Sequence, residues 1–173
     1  FAKRLQDKYL AAVQDELGLM ERTCSPIECD GIKVNTFDGA DANEYMLFHG
    51  APSGVIPRLM LQGLDPRNAG TNAGALFGAG TYLASNSSKS DIYTRPNDRG
   101  ERCVLVVRAC LGEVHKTTEP MRQSLRPPER PDKRGPLSSV QAITQLGGGC
   151  VEHPEFIVYK DSQTLPQYAI QYG

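Results

Sequence analysis

The chain has 173 residues, 39% hydrophobic and 23% charged, with 17 glycines and 12 prolines; this suits one domain around a single core and excludes collagen-like order and bulk disorder. Its 19 basic and 20 acidic residues leave a formal charge of -1, so no general pull toward phosphate backbones or anionic lipid is built in, and nucleic acid is not an expected partner. The longest apolar runs, Val104 to Val107 and Phe156 to Tyr159, are far too short for a membrane helix, and no signal-peptide pattern opens the chain, so no membrane partner is expected.

Phe1, Leu5, Tyr9, Ala12, Val13, Leu17 and Met20 recur at helical spacing among charged residues, which predicts an amphipathic helix with Gly18 in its last turn. No capping residue precedes it, as expected of a fragment of a longer protein. From Cys24 to Asn43 proline, glycine and acidic residues predict a connecting loop with a short strand at Ile32 to Val34. Tyr45 to Phe48 begins a buried strand. Ile56 to Leu61 reads as a short helix with Pro57 in its first turn and Gly63 closing it, followed by a loop from Leu64 to Gly74. Tyr82 to Ala84 is too short for periodicity to classify. Ser85 to Tyr93 predicts a second helix, with Asn86 or Ser87 supplying the cap oxygen.

Cys103 to Leu111 contains the continuous run Val104, Leu105, Val106, Val107, the pattern of a strand covered on both faces. Pro120 to Pro136, with five prolines and mixed charges, predicts a long exposed loop. The glycines 147 to 149 supply slack, and Glu155 to Tyr159 and Tyr168 to Tyr172 read as a hairpin pair of strands. Short strands, few helices and no βαβ alternation place residues 1–173 in one α+β domain built on antiparallel sheets. The five cysteines are odd in number and irregularly spaced, which suits a reducing, intracellular compartment. No Cys-x-x-Cys pair occurs, and Cys103 and Cys110 alternate to opposite faces of one strand, so no metal is expected.

Several common signatures fail. Gly78-Ala79-Gly80 lacks the third glycine of a dinucleotide fingerprint, the position being Leu83, and no phosphate loop, zinc helix or nucleophile elbow is present. What remains is an ordered set: Leu47-Phe48-His49-Gly50, then Phe77-Gly78-Ala79-Gly80-Thr81-Tyr82-Leu83-Ala84, then Ser87-Ser88-Lys89-Ser90 with Tyr93, and finally Glu155-Phe156-Ile157-Val158-Tyr159. On physical grounds Glu155 stands out, since a carboxylate opening an apolar strand must be solvated, paired or used. Taken singly, His49 reads as a structural or exposed histidine, Tyr82 and Tyr93 as core residues, and Ser87 to Ser90 as a helix cap.

Together and in this order the stretches resemble the catalytic domain of the poly(ADP-ribose) polymerases, with the run from Phe77 to Tyr93 most like the tankyrases. The resemblance implies an ADP-ribosyltransferase fold, two packed and mainly antiparallel sheets flanked by short helices, without the regulatory helical domain of DNA-dependent members. It implies an enzyme that takes NAD+ as co-substrate, releases nicotinamide and modifies protein acceptors, itself included. His49 would orient the dinucleotide, its ring donating to a ribose hydroxyl. Gly50 and Ser90 would hold the carboxamide, Tyr82 and Tyr93 would stack on the nicotinamide ring, Lys89 would lie beside the catalytic carboxylate, and Glu155 would be that carboxylate. Members restricted to single transfers often replace this glutamate, so Glu155 points to chain elongation; single transfer and a silent NAD- or ADP-ribose-binding module are the alternatives. The chain departs from the family pattern at Ala51, where serine is common, in the loop from Gly63 to Gly74, where only Asp65 suggests an adenine-side contact, and in lacking tankyrase zinc ligands between Tyr93 and Arg108.

Overall fold

A computed structural model of the chain describes residues 43–68 and 75–173, together with the backbone of Ile32–Val34. The helix expected over Phe1 to Met20, most of the loop ending at Asn43 and the end of the Leu64 to Gly74 loop lie outside the described residues.

Among the described residues eight strands form one hydrogen-bonded sheet. They are β1 (Ile32–Val34), β2 (Glu44–Gly50), β3 (Thr81–Ala84), β4 (Arg102–Cys110), β5 (Val114–Thr117), β6 (Ser139–Ala142), β7 (Glu155–Val158) and β8 (Thr164–Tyr172). The order is β5-β6-β7-β3-β2-β4-β8, with β1 also paired to β2. All pairings are antiparallel except β5 with β6. Two α-helices are described, α1 (Ile56–Gln62), with Pro57 in its first turn and Gly63 at its end, and α2 (Ser87–Asp91). The α+β class and its mainly antiparallel pairing are those expected.

The centre is β2 against β4, paired from Glu44↔Cys110 to Gly50↔Val104. Both are covered on both faces, as their unbroken apolar runs require. Leu47, Leu105 and Val107 join Phe156 and Val158 in one cluster; Met46, Phe48, Val104 and Val106 form another on the reverse face. A third cluster, Phe77, Val140, Ala142, Val151 and Ile157, serves the other half of the sheet. The halves meet at one pair, Phe48↔Ala84. Beyond it β2 and β3 part, and this seam opens the cleft described below.

Two expectations are corrected. Strands β7 and β8 do not form a hairpin: β7 lies between β3 and β6, whereas β8 pairs with β4 at the far edge. Every residue of β7 is buried, so it needs a strand on either side, while β8 has the mixed exposure of an edge and tolerates Pro166 at its register shift. The 147–149 segment is no slack tether. It closes a 3-10 turn in which the Gly147 and Gly149 N–H groups donate to the Thr144 carbonyl at 2.9 and 2.8 Å. Strands β5 and β6 went unread because Val-His-Lys-Thr and Ser-Val-Gln-Ala are short and mixed in polarity. The proline-rich loop between them is largely exposed but anchored, its Ser124 carbonyl accepting from the Ala79 N–H at 3.0 Å and its Met121 N–H donating to the Leu76 carbonyl at 2.7 Å.

Candidate active site

The cleft has a volume of about 540 Å³ and is lined by His49, Gly50, Tyr82, Lys89, Ser90, Tyr93 and Glu155, together with residues of the 3-10 turn Ser53–Val55 and of α1, which follow β2. Thus every candidate from the sequence faces one cavity, of a size that encloses a drug- or cofactor-sized molecule.

His49 sits one residue past the last β2–β3 pair. Its Nδ1 lies 2.9 Å from the Tyr82 carbonyl, so the imidazole takes up an oxygen left over where the ladder stops. A carbonyl only accepts, hence Nδ1 carries the proton. Burial holds the ring's pKa below its ordinary 6.5, outweighing the opposing effect of the Tyr82 hydrogen bond, and the uncharged ring presents Nε2 as an acceptor. This is the opposite polarity to the donor role expected for the ring.

Gly50 follows at the end of β2. A Cβ there would lie 1.8 Å from the Ser90 carbonyl oxygen, so the missing side chain is what lets α2 close against the strand. That packing reason is separate from the carboxamide contact that the resemblance implies for Gly50. Helix α2 is short, and its first turn is capped by Asn86, whose Oδ1 accepts from the Ser88 N–H at 3.1 Å. Its Lys89 and Ser90 line the cleft, and Tyr93, 52% exposed, stands at the rim.

Glu155 is 7% exposed and so is not the solvated strand end that its position also allowed. Its Oε1 is 2.7 Å from Lys89 Nζ. For Lys89, burial alone would lower the pKa, but the hydrogen bond and charge of Glu155 override it and the net shift is upward. The ammonium also lies 5.5 Å from the centre of the Tyr93 ring. Glu155 pairs across β3 with Ala84, and Ala84 with Phe48, which sets the carboxylate in the row where the seam opens.

Tyr82 is fixed by its hydroxyl, which accepts from the Phe77 N–H at 2.8 Å and donates to the Gly78 carbonyl at 3.0 Å. Burial first, with the charge of Glu155 adding to it, pushes its pKa up to about 12, so the phenol is neutral near pH 7. Tyr159, a residue the sequence reading did not single out, donates to the Phe77 carbonyl at 2.6 Å and clamps the same turn from behind. Arg58 of α1 and Arg95 were also missed; both line the cleft, and among the described residues neither guanidinium has an ion-pair partner. Asp65 lines it too, but Arg67 engages its carboxylate through bonds of 2.7 to 3.0 Å. Among the described residues no three His, Cys, Asp or Glu side chains gather as a metal site would need.

The family model described as the poly(ADP-ribose) polymerase catalytic domain matches residues 25–173. The chain is 33% identical over 146 residues to the protein mono-ADP-ribosyltransferase PARP14 of Homo sapiens, covering 81% of this chain and 8% of that protein. It is 28% identical over 166 residues to the poly [ADP-ribose] polymerase tankyrase of Caenorhabditis elegans, covering 76% of this chain and 7% of that protein. It is 23% identical over 135 residues to the protein mono-ADP-ribosyltransferase PARP12 of Mus musculus, covering 78% of this chain and 18% of that protein. The chain thus spans under a fifth of the length of each of these relatives.

Proposed function

The chain belongs to the poly(ADP-ribose) polymerase catalytic-domain family, and from that premise we propose that it transfers ADP-ribose from NAD+ to protein acceptors, its own chain included, with release of nicotinamide. The observation that carries this reading is the buried Glu155, paired with Lys89 at 2.7 Å in the same cleft as His49, Tyr82 and Tyr93.

Tyr82 and Tyr93 offer two ring faces to a flat cationic nicotinamide, to which an aromatic quadrupole is attractive. Ser90 and the backbone of Gly50, whose edge toward β3 has no strand pair, hold the carboxamide. His49 Nε2 accepts from a ribose hydroxyl, its ring fixed by the Tyr82 carbonyl. The exposed guanidinium groups of Arg58 and Arg95 suit the diphosphate. Ala51 supplies no hydroxyl, so the polar contacts on that side fall to these neighbours.

Glu155 accepts a hydrogen bond from the nicotinamide ribose and stabilises positive charge as the glycosidic C–N bond breaks. The bonding pair leaves with nicotinamide, which departs neutral. An acceptor oxygen then bonds to the ribose carbon, and its proton passes to the Glu155 carboxylate or to water. Lys89 offsets the glutamate's charge between turnovers and holds it in place.

Because Glu155 is retained, the reading extends to attack by a hydroxyl of an earlier ADP-ribose unit, which is chain elongation. Single transfer is the second reading, favoured by the names of two of the relatives above. Incubation with labelled NAD+ followed by denaturing gel separation decides between them. A ladder or smear on the chain is expected; one sharp labelled band means single transfer, and unlabelled protein with intact NAD+ removes the proposed activity.

A further inference from the structure

Tyr93 is the most exposed of the seven site residues, and within the cleft its ring touches the Lys89 ammonium. It is 52% exposed and follows Ile92, which is 66% exposed, so burial does little to fix its ring. The residues on either side of these two are held firmly. Thr94, 3% exposed, has its hydroxyl 2.8 Å from the Asp91 carbonyl and 3.2 Å from the Asp91 carboxylate. The Tyr172 hydroxyl donates to that same carboxylate and lies 3.4 Å from the Thr94 hydroxyl. Arg102 Nη1 donates to the Thr94 hydroxyl at 3.2 Å and is 3.8 Å from the Asp91 carboxylate.

Arg102 and Tyr172 are direct cross-strand partners at the ends of β4 and β8. The central sheet therefore grips, with two side chains from neighbouring strands, the two residues that bracket Ile92 and Tyr93. None of these four side chains lines the cleft. Two backbone bonds carry the restraint inward, Tyr93 N–H to the Ser90 carbonyl at 3.1 Å and Thr94 N–H to the Asp91 carbonyl at 3.0 Å. An interaction in which one partner is charged is about twice as strong as a neutral one, and a network of them resists displacement more than its separate members.

We propose that Tyr172 and Asp91, with Thr94 and Arg102, are positioning residues that set Tyr93 at the rim of the cleft and thereby its grip on the nicotinamide ring. The second half of this inference rests on the proposed function; the first half does not. Loss of the Tyr172 hydroxyl frees the turn bearing Tyr93 while leaving Glu155, Lys89 and Tyr82 in place. The deficit then falls on affinity for the ring and not on the chemical step.

The chain contains no tryptophan, so Tyr93→Trp installs a single reporter at the position in question. In that background Tyr172→Phe is expected to lower the fluorescence anisotropy of the indole and raise its quenching by acrylamide, and Asp91→Ala to do the same. Asp91→Asn, which keeps an acceptor oxygen, should restore most of the restraint. An unchanged anisotropy in a variant whose thermal unfolding remains cooperative overturns the positioning role, whether or not nicotinamide binds. With Tyr93 intact, Tyr172→Phe should raise the nicotinamide inhibition constant and the KM for NAD+ by about five- to tenfold with little change in kcat. In a Tyr93→Ala background the same change should leave the inhibition constant nearly unmoved; an equal loss in both backgrounds overturns the link to Tyr93. Failure of the parent chain to bind nicotinamide would count against the proposed function, and the indole measurement would still decide the positioning role.

Discussion

Burial of charge at Glu155 and Lys89 is tolerable because each neutralises the other at 2.7 Å with side-chain exposures of 9% and 19%. His49 follows a different logic, being kept uncharged. Its folded pKa lies below the ordinary 6.5, so between those two values the unfolded chain binds a proton that the folded one refuses. Its contribution to stability is therefore complete above pH 6.5 and declines as pH falls toward the folded value. Thermal melts of the chain and of His49→Gln should diverge below pH 6.5, the parent losing stability faster with acidification; parallel curves would mean that the imidazole titrates normally. Glu155 was legible without a structure because a carboxylate heading an apolar strand demands an explanation. Its partner was not, since 66 residues separate Lys89 from it and no local pattern reports a long-range ion pair.

At the scale of elements, the critical packing is α2 against the end of β2, where a Cβ on Gly50 would sit 1.8 Å from a backbone oxygen of Ser90. Backbone cannot rotate away as a side chain can. Gly50→Ala is thus expected to push α2 outward, costing about 2 kcal/mol of stability as an overpacked site does, and to weaken nicotinamide binding through Ser90 and Tyr93. Chemical denaturation and nicotinamide titration check the two effects; a variant as stable and as tight as the parent would contradict the packing argument. Strands β2 and β4 were legible because both faces are buried and their apolar runs are unbroken. The neighbours of β7 and β8 were not, because closeness in sequence suggests a hairpin while the need to cover both edges of β7 sends β8 across to β4. The polar cluster announced a cap for α2 at Asn86 or Ser87, and Asn86 supplies it, yet nothing local announced that Tyr172 would reach Asp91 from the far end of the chain.

At the largest scale, the described residues form two half-sheets joined by the pair Phe48↔Ala84, and the cleft lies where that joint opens. One half contributes His49 and Gly50, the other contributes Tyr82 and Glu155, and α2 closes the gap with Lys89 and Ser90. Only the ordered resemblance brought these scattered residues together in the sequence, whereas Arg58, Arg95 and Tyr159 needed the folded chain to be noticed. In the proposed reaction this constellation breaks the nicotinamide bond of NAD+, with Glu155 supplying the charge. The most direct test compares nicotinamide release from NAD+ by the parent chain and by Glu155→Gln, with NAD+ binding measured calorimetrically on both. Glu155→Gln is expected to bind NAD+ within a few fold of the parent but to release nicotinamide about a hundredfold more slowly or worse; release at the parental rate would contradict the role of Glu155.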